Sequence, residues 1–596
     1  MAGVTALTPV SVVLSLSARL RGLVRGSNFA LTVTAALVGG VAGVAVSVLS
    51  ALSQLAHAVL FNLPLDVRLS AADHVAPWRA LAAPAFGGLI LSAMEVWRRR
   101  TGASAPVDPV EANALRGGRM SLRDSVWVTL QTLISNGFGA SVGLEAGYTQ
   151  LGGGLASRLG LLLRLRRADL RVMVGCGAAG AIAAAFGAPL SGAFYAFELI
   201  IGVYSVSNVA AVTGASLAGY LAAQSAIGAP YSIHAPTVGN IQPVHYLVLM
   251  LLGLIACALG IFTLRAVAWA ERVFETSALP VSVRPVVGGL LVGGLALITP
   301  QVLAAGHGAM KLDLQLDMGA RFLLTLIALK LLASLISLGS GFRGGLFFAS
   351  LFIGALLGKL YGVEAARLLP DLAIDPVACA LTGMGVFAVA VVGGPLTMSF
   401  LVLETTGDYS LTGAVLAACV LTSLTVREVF GYSFSTWRLH LRGETIRSAA
   451  DVGWARNLTV GRLMRQDPAT LPASATIAEF RQAYPLGSRH MVVLIDAQGQ
   501  YCGLVQTAEA FAAELDHVAS RRSVHSLAHW REAVLTPDMD IKAAMSLFDQ
   551  AEAETLAVVS GAGQAKVVGL LTEAYASRRY AEELDKAHRS LSGEDA

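Results

Sequence analysis

The chain has 596 residues, of which 55% are hydrophobic and only 14% charged, with a mean hydropathy of +0.65. Soluble globular proteins carry about a quarter charged residues, so these values exclude an ordinary soluble protein and indicate a polytopic membrane protein in a lipid bilayer. The net charge of +4 is ordinary for such a protein, and nothing reads as nucleic-acid binding.

The first apolar run, Val10 to Leu16, precedes Arg19, Arg21 and Arg25. A secretion signal carries its charges first, so residues 1–28 read as an amphipathic cytosolic lead-in helix. Apolar runs follow from Phe29 to Leu52 and from Trp78 to Val96, each near the length of about 20 residues that a spanning helix needs. Arg68 is the only Lys or Arg in the loop between them, whereas Arg98, Arg99, Arg100, Arg116, Arg119 and Arg123 crowd the loop after the second. The positive-inside rule places that loop and the N-terminus in the cytoplasm.

A single acid, Glu145, stands in GFGASVGLEAGYTQLGGG, residues 137–154, with no Lys or Arg between Arg123 and Arg158. An acid at bilayer depth costs about 2.5–3.5 kcal/mol on insertion scales, so it normally faces a water-filled path or a partner. The glycines around it can expose backbone N–H groups. Gly143 and Gly147 also form a GxxxG pair, which by itself needs no more than close helix packing. The unpaired acid between them favours function.

Glycine, proline and small residues interrupt the apolar runs at 175–189, 339–345 and 383–395. Such breaks are tolerated at bilayer depth where protein or a cavity satisfies the freed backbone, and they point to a transport site of broken helices. GAAGAIAAAFGAPLSGAFYAFE from Gly177 and GMGVFAVAVVGGPLTMSFLVLE from Gly383 both run Gly, eleven residues, Pro, eight residues, Glu. Ahead of each lies an eighteen-residue segment with glycine at its first, fifth and last positions, from Gly143 and from Gly341. Two halves with one broken-helix plan are what inverted-repeat transporters show, with the site between them. Glu198 and Glu404, which close the repeats, read as structural acids near helix ends.

From Leu458 the chain is soluble in character and repeats again, each half offering a short lead, an amphipathic helix, a strand (MVVLID or TLAVVS), a turn and a second strand. The five cysteines, Cys176, Cys257, Cys379, Cys419 and Cys502, have no CxxC or zinc spacing, so no metal site, disulfide framework or cofactor is indicated.

Over residues 31–443 these blocks resemble the CLC family of chloride channels and proton–chloride exchangers. The resemblance is carried by GLEAG at 143–147, where the family usually has GREGP, by GAAGAIAAAFGAPLSGAFYAFE, by GGLFFASLFIGALLG and by GMGVFAVAVVGGPLTMSFLVLETTGDY. The C-terminal repeats resemble tandem CBS domains. The implied fold is an all-α polytopic membrane domain with inverted repeats and broken helices, followed by a cytosolic α/β CBS pair. The implied divisions are a lead-in over 1–28, a transport domain over 29–440, a linker over 441–457, CBS domains over 458–580 and a tail over 581–596. The implied setting is a multi-pass protein of a bacterial inner membrane, with N-terminus and CBS domains cytoplasmic, and a homodimer in which each subunit has its own path for chloride or a related anion.

By this match Glu145 is the gating glutamate. Backbone N–H groups near Gly143, Leu144 and Gly147, and around Leu346, Phe347 and Phe348, form the anion sites. Three positions depart from the family pattern: Pro106 stands where an anion-coordinating serine is usual, Leu199 replaces the inner acid of proton-coupled members, and Ser435 stands where an inner tyrosine is expected. Proline has no N–H or hydroxyl to offer and occurs there in nitrate-preferring relatives, and leucine carries no proton.

Passive chloride conduction gated by Glu145 is the favoured function, with proton-coupled antiport of chloride or nitrate as the alternative. An intramembrane enzyme would need a nucleophile, base or metal cluster, and the sequence offers none; His307 reads as a loop or packing residue. Where nucleotide-binding CBS pairs carry Thr or Ser with an Asp three residues on, this chain has Thr572 with Tyr575 and Gln506 with Glu509. A structural module is therefore expected there, with adenine-nucleotide sensing as the lesser alternative.

Overall fold

A computed structural model describes residues 27–102, 105–227, 239, 241–372, 374–442, 458–561 and 566–592. The lead-in expected over 1–28 and the linker over 441–457 lie almost wholly outside them. The chain divides into two units, Met1–Asp451 and Val452–Ala596.

The first unit is helical: α1 (Asn28–Phe61), α2 (Pro77–Arg100), α3 (Pro109–Leu115), α4 (Leu122–Gly137), α5 (Glu145–Leu162), α6 (Arg167–Phe186), α7 (Pro189–Tyr195), α8 (Val206–Ile227), α9 (Pro243–Thr276), α10 (Arg284–Ala296), α11 (His307–Gln315), α12 (Ala320–Ser340), α13 (Phe347–Leu368), α14 (Pro376–Val392), α15 (Pro395–Thr406), α16 (Tyr409–Val429) and α17 (Phe434–Leu441). Among the described residues seven helices are long and apolar enough to cross a bilayer. Side chains such as Phe29, Leu37, Trp78, Leu247, Phe262 and Trp269 are exposed on α1, α2 and α9, as lipid-facing residues must be. Prolines 77, 109, 189, 243, 376 and 395 all open helices, where a missing N–H breaks no bond.

The two halves repeat. The helices α1 and α9 are each 34 residues long; α1 packs on α6 and α8, and α9 packs in the same way on α14 and α16. A Cβ on Gly152 would strike the carbonyl of Gly177 where α5 crosses α6, and one on Gly354 would strike that of Gly383 where α13 crosses α14. These pairs permit backbone-to-backbone contact between helices, as small residues do in membranes.

The glutamates that close the repeats are helix caps. The Glu198 carboxylate accepts bonds from Leu396 N–H (3.0 Å), Thr397 N–H (2.8 Å) and the Thr397 hydroxyl (2.6 Å) at the start of α15. Glu404 accepts from Leu190 N–H (2.7 Å), Ser191 N–H (2.9 Å) and the Ser191 hydroxyl (2.7 Å) at the start of α7. Each half thus caps a broken helix of the other, the reciprocity that a two-fold relation generates.

Lys330 on α12 is fully buried. Its ammonium donates to the carbonyls of Val302 (3.1 Å) and Ala304 (2.7 Å) and lies 5.8 Å from the centre of the Phe352 ring. Lys330→Met keeps the stem but orphans both carbonyls, at about 1–3 kcal/mol for each buried group. Thermal unfolding in detergent is expected to show a clear fall in midpoint, and an unchanged midpoint would contradict this assignment.

The second unit holds two three-stranded sheets, β1 (Thr470–Pro472), β2 (Met491–Ile495) and β3 (Tyr501–Gln506), then β4 (Val534–Leu535), β5 (Thr555–Val559) and β6 (Val567–Thr572). In each sheet the first pair is parallel, the second antiparallel, and the register shifts at the same point, Leu494/Ile495 and Val558/Val559. The crossovers carry Ile477–Ala483, opened by a Thr476–Glu479 capping box, and Ile541–Ala551, capped by Asp540. Both halves of this unit thus repeat one strand–helix–strand–strand plan, as the sequence repeat predicts. Its last helix, Glu573–Ser592, runs past residue 580.

Candidate functional site

The helices α5 and α13 begin side by side. Gly143 N–H donates to the Gly345 carbonyl (2.9 Å) and Gly345 N–H to that of Gly143 (3.2 Å), an antiparallel bridge two residues ahead of each helix. The structural equivalent of Gly143 is therefore Gly345, not Gly341 as the equal glycine spacing suggested.

Both loops are held from the opposite half. Ser337 on α12 accepts the Ser141 N–H (3.0 Å), and Ser135 on α4 accepts the Arg343 N–H (2.9 Å). Asn136 donates to the Val142 carbonyl (2.8 Å) and accepts the Ser53 hydroxyl (2.8 Å). The first-turn N–H groups of α5 and α13 have no partner inside their own helices, and both helix dipoles point their positive ends into the gap.

Glu145 lies in that gap. Its carboxylate faces the backbone N–H groups of Phe348 and of Glu145 itself, it is buried, and Oε2 has no hydrogen-bond partner among the described residues. A Cβ on Gly143 would collide with that oxygen, so the carboxylate occupies space that only glycine leaves open.

Two cavities meet here. The first, about 320 Å³, is lined by Glu145 and Leu144 with Tyr148, His57, Arg68 and His307. The second, about 160 Å³, is lined by Glu145 with Pro106, Leu346, Phe347, Tyr195 and Ser435. Glu145 is the one described residue common to both.

The predicted residues are therefore largely brought together. Glu145, Pro106, Leu346, Phe347 and Ser435 share the second cavity, and Leu144 joins Glu145 on the first. Phe348 faces the Glu145 carboxylate through its N–H, and its ring stacks on His307 at 3.6 Å between centroids. Gly143 is corrected as an N–H donor to an anion, because its N–H is committed to Gly345. Gly147 lies within the first turn of α5, where a Cβ would press on Thr132, and lines neither cavity. Leu199 borders Gly393 and also lines neither.

Other residues escaped the sequence reading. His307 does pack, but in the wall of the first cavity. Tyr195 lies edge-on to Phe347 at 5.9 Å and supplies a tyrosine to the cavity in which Ser435 stood for a lost one. Asp108, the N-cap of α3, accepts the Glu111 N–H at 2.8 Å and also lines the second cavity. Its signal was present in APVDP, where an acid directly precedes a helix-opening proline.

The arrangement offers backbone N–H groups and two helix N-termini to an anion. The carboxyl of Glu145 faces the same donors.

Comparison with known proteins agrees with this geometry. The chain matches the family model described as voltage gated chloride channel over residues 85–427. It is 32% identical over 367 residues to a putative chloride channel protein, ClcB-like, of Ralstonia nicotianae, covering 60% of this chain and 84% of that one. Its fold is similar to that of a slow cyanobacterial Cl−/H+ antiporter (TM-score 0.61, 20% identity, 69% of this chain and 97% of the other). It is also similar to a eukaryotic CLC transporter (TM-score 0.60, 18% identity, 94% and 98%). With more than half of its length matched, and with the paired helix starts and reciprocal caps in place, this chain belongs to the voltage gated chloride channel family, the CLC type.

Proposed function

We propose that this chain conducts chloride passively along a path gated by the Glu145 carboxylate. The observation that carries the reading is that Glu145 alone, among the described residues, lines both cavities. While ionised, the carboxylate holds the N–H groups that an anion needs; once protonated it loses its attraction for them and yields to the ion.

Passive conduction is favoured over coupling because Leu199 carries no proton, and the neighbouring acid, Glu198, is committed to capping α15. The second cavity is taken as cytoplasmic, since Arg438 and Arg442 line it and Arg99 lines the adjoining third cavity. The working unit is proposed to be a homodimer with one path per subunit.

Proton-coupled antiport is supported by one feature, the Asp108 carboxylate on the second cavity, which could hand protons toward Glu145. The cyanobacterial protein of similar fold is also a Cl−/H+ antiporter. The two readings separate in liposomes carrying the purified protein under an imposed chloride gradient. Passive conduction predicts chloride efflux without uphill proton movement; proton uptake that vanishes in Glu145→Gln would establish the antiport instead.

Gly143→Ala places a methyl group where Oε2 of Glu145 lies. Displacing the carboxylate is expected to raise chloride efflux at neutral pH toward the Glu145→Gln level. Efflux at the wild-type rate would show that the carboxylate does not block from this position.

In the CBS pair, Glu509 stands three residues after Gln506 but is bonded to His529 at 2.8 Å, and Tyr575 carries the Arg578 guanidinium over its ring. These commitments support a structural module over a nucleotide sensor.

A further inference from the structure

The second cavity opens toward a third, about 510 Å³, and the two share Arg343, Gly344, Arg438 and Arg442. Arg438 is paired with Glu271 at 3.3 Å and Arg442 with Glu111 at 3.7 Å. Arg343 is different. Its backbone N–H is held by Ser135, but among the described residues its guanidinium has neither an ion pair nor a hydrogen bond.

The charges that face it are mostly of its own sign: Arg98, Arg438 and Arg442, against Glu95. The acids lining the third cavity are Glu95, Glu271 and Glu275; Glu95 is bonded to Arg99 at 3.0 Å and Glu271 to Arg438, and among the described residues none of the three is paired with Arg343. A half-buried guanidinium without a carboxylate, among like charges and open to two cavities, keeps its donors and charge available to a mobile anion. Its place in the chain is equally pointed, two residues before Gly345, on the loop that leads into the α13 N-terminus.

We infer that Arg343 forms a binding site for a small inorganic anion at the neck between the second and third cavities. There the transported ion waits before it reaches the N–H groups beside Glu145. The planar guanidinium supplies donors and charge together, and Arg438 and Arg442 add a field that concentrates anions at the neck without closing on the ion. Because its backbone is held by Ser135 and followed by two glycines, the side chain can change without moving the α13 start. The inference rests on the proposed anion path and adds a second station to it.

The test uses full-length protein, with chloride as the probe. Chloride binding is titrated calorimetrically in detergent, and efflux from liposomes is followed against internal chloride at constant ionic strength, for wild type, Arg343→Gln and Arg343→Lys. Arg343→Gln is expected to bind one chloride fewer and to raise the half-saturating chloride about tenfold, with a smaller change in maximal rate. Arg343→Lys keeps the charge and recovers most of the affinity. Unchanged stoichiometry and half-saturation in a well-folded Arg343→Gln protein would overturn the inference while leaving the path itself intact. Absence of chloride efflux from wild type would instead overturn the path. If Arg343→Gln does not fold, Arg343→Lys decides: wild-type affinity supports a charge-based site, and affinity lost as in an empty site contradicts it.

Discussion

Glu145→Gln is expected to abolish the pH dependence of chloride efflux. In the wild type the carboxyl faces the Phe348 N–H, and Oε2 fills the space beside Gly143. Lowering the pH neutralises it and frees the site, so efflux rises as the solution becomes more acid. Glutamine has the same shape without the charge, so the variant should run at the acid plateau of the wild type at every pH tested. The sign matters, because a structural acid would give lower efflux on neutralisation through loss of the fold. Efflux measured by a chloride electrode at several pH values distinguishes these outcomes, and a Glu145→Gln protein that retains the wild-type pH profile would exclude Glu145 as the gate.

The second large effect is on stability. Glu404→Ala removes one acceptor from three donors at the start of α7, each bonded within 2.9 Å. Bonds to a charged acceptor contribute about 1.5–3 kcal/mol each, and the donors are left facing a partly dry interface, so a net loss of about 3–5 kcal/mol is expected. Glu404→Gln should recover only part of it, because its amide nitrogen would face a donor. Glu198→Ala at the start of α15 should behave alike, because the contacts mirror each other. Thermal unfolding in detergent measures both. A silent Glu404→Ala would mean that the reciprocal caps do not hold the halves together.

These caps show how far the sequence could be read. The Gly–Pro–Glu spacing of the two repeats marked elements that the structure places in equivalent positions, and Glu198 and Glu404 proved to be the structural acids expected. The glycine-rich segments ahead of them misled, because glycine serves several purposes there. Gly341 adopts a positive φ of 106° and ends α12, whereas Gly345 makes the bridge to Gly143. Counting glycines could not tell a helix terminator from a bridge. The serines that pin the loops, Ser135 and Ser337, carry no local signal, since their partners lie 208 and 196 residues away.

The site was legible where chemistry is local and obscure where it is assembled. Glu145 was found because an acid without a counter-ion is conspicuous in an apolar chain. Pro106 and Ser435 were placed by motif, and both line the second cavity. Tyr195 was passed over because a tyrosine in a short apolar helix reads as packing, and only the fold turns it toward Phe347. Arg343 carries no signal in the sequence, because only the fold sets Arg438 and Arg442 beside it and pairs them with Glu271 and Glu111.

The claim on which the rest depends is that the carboxylate and the anion use the same donors. Bromide diffracts anomalously and substitutes for chloride, so crystals of wild type and of Glu145→Ala grown in bromide test it directly. The variant should show an anomalous peak beside the Phe348 N–H, at the position the carboxylate holds in the wild type, and the wild type should show none there. The same bromide positions in both proteins, with that place empty in the variant, would contradict the account.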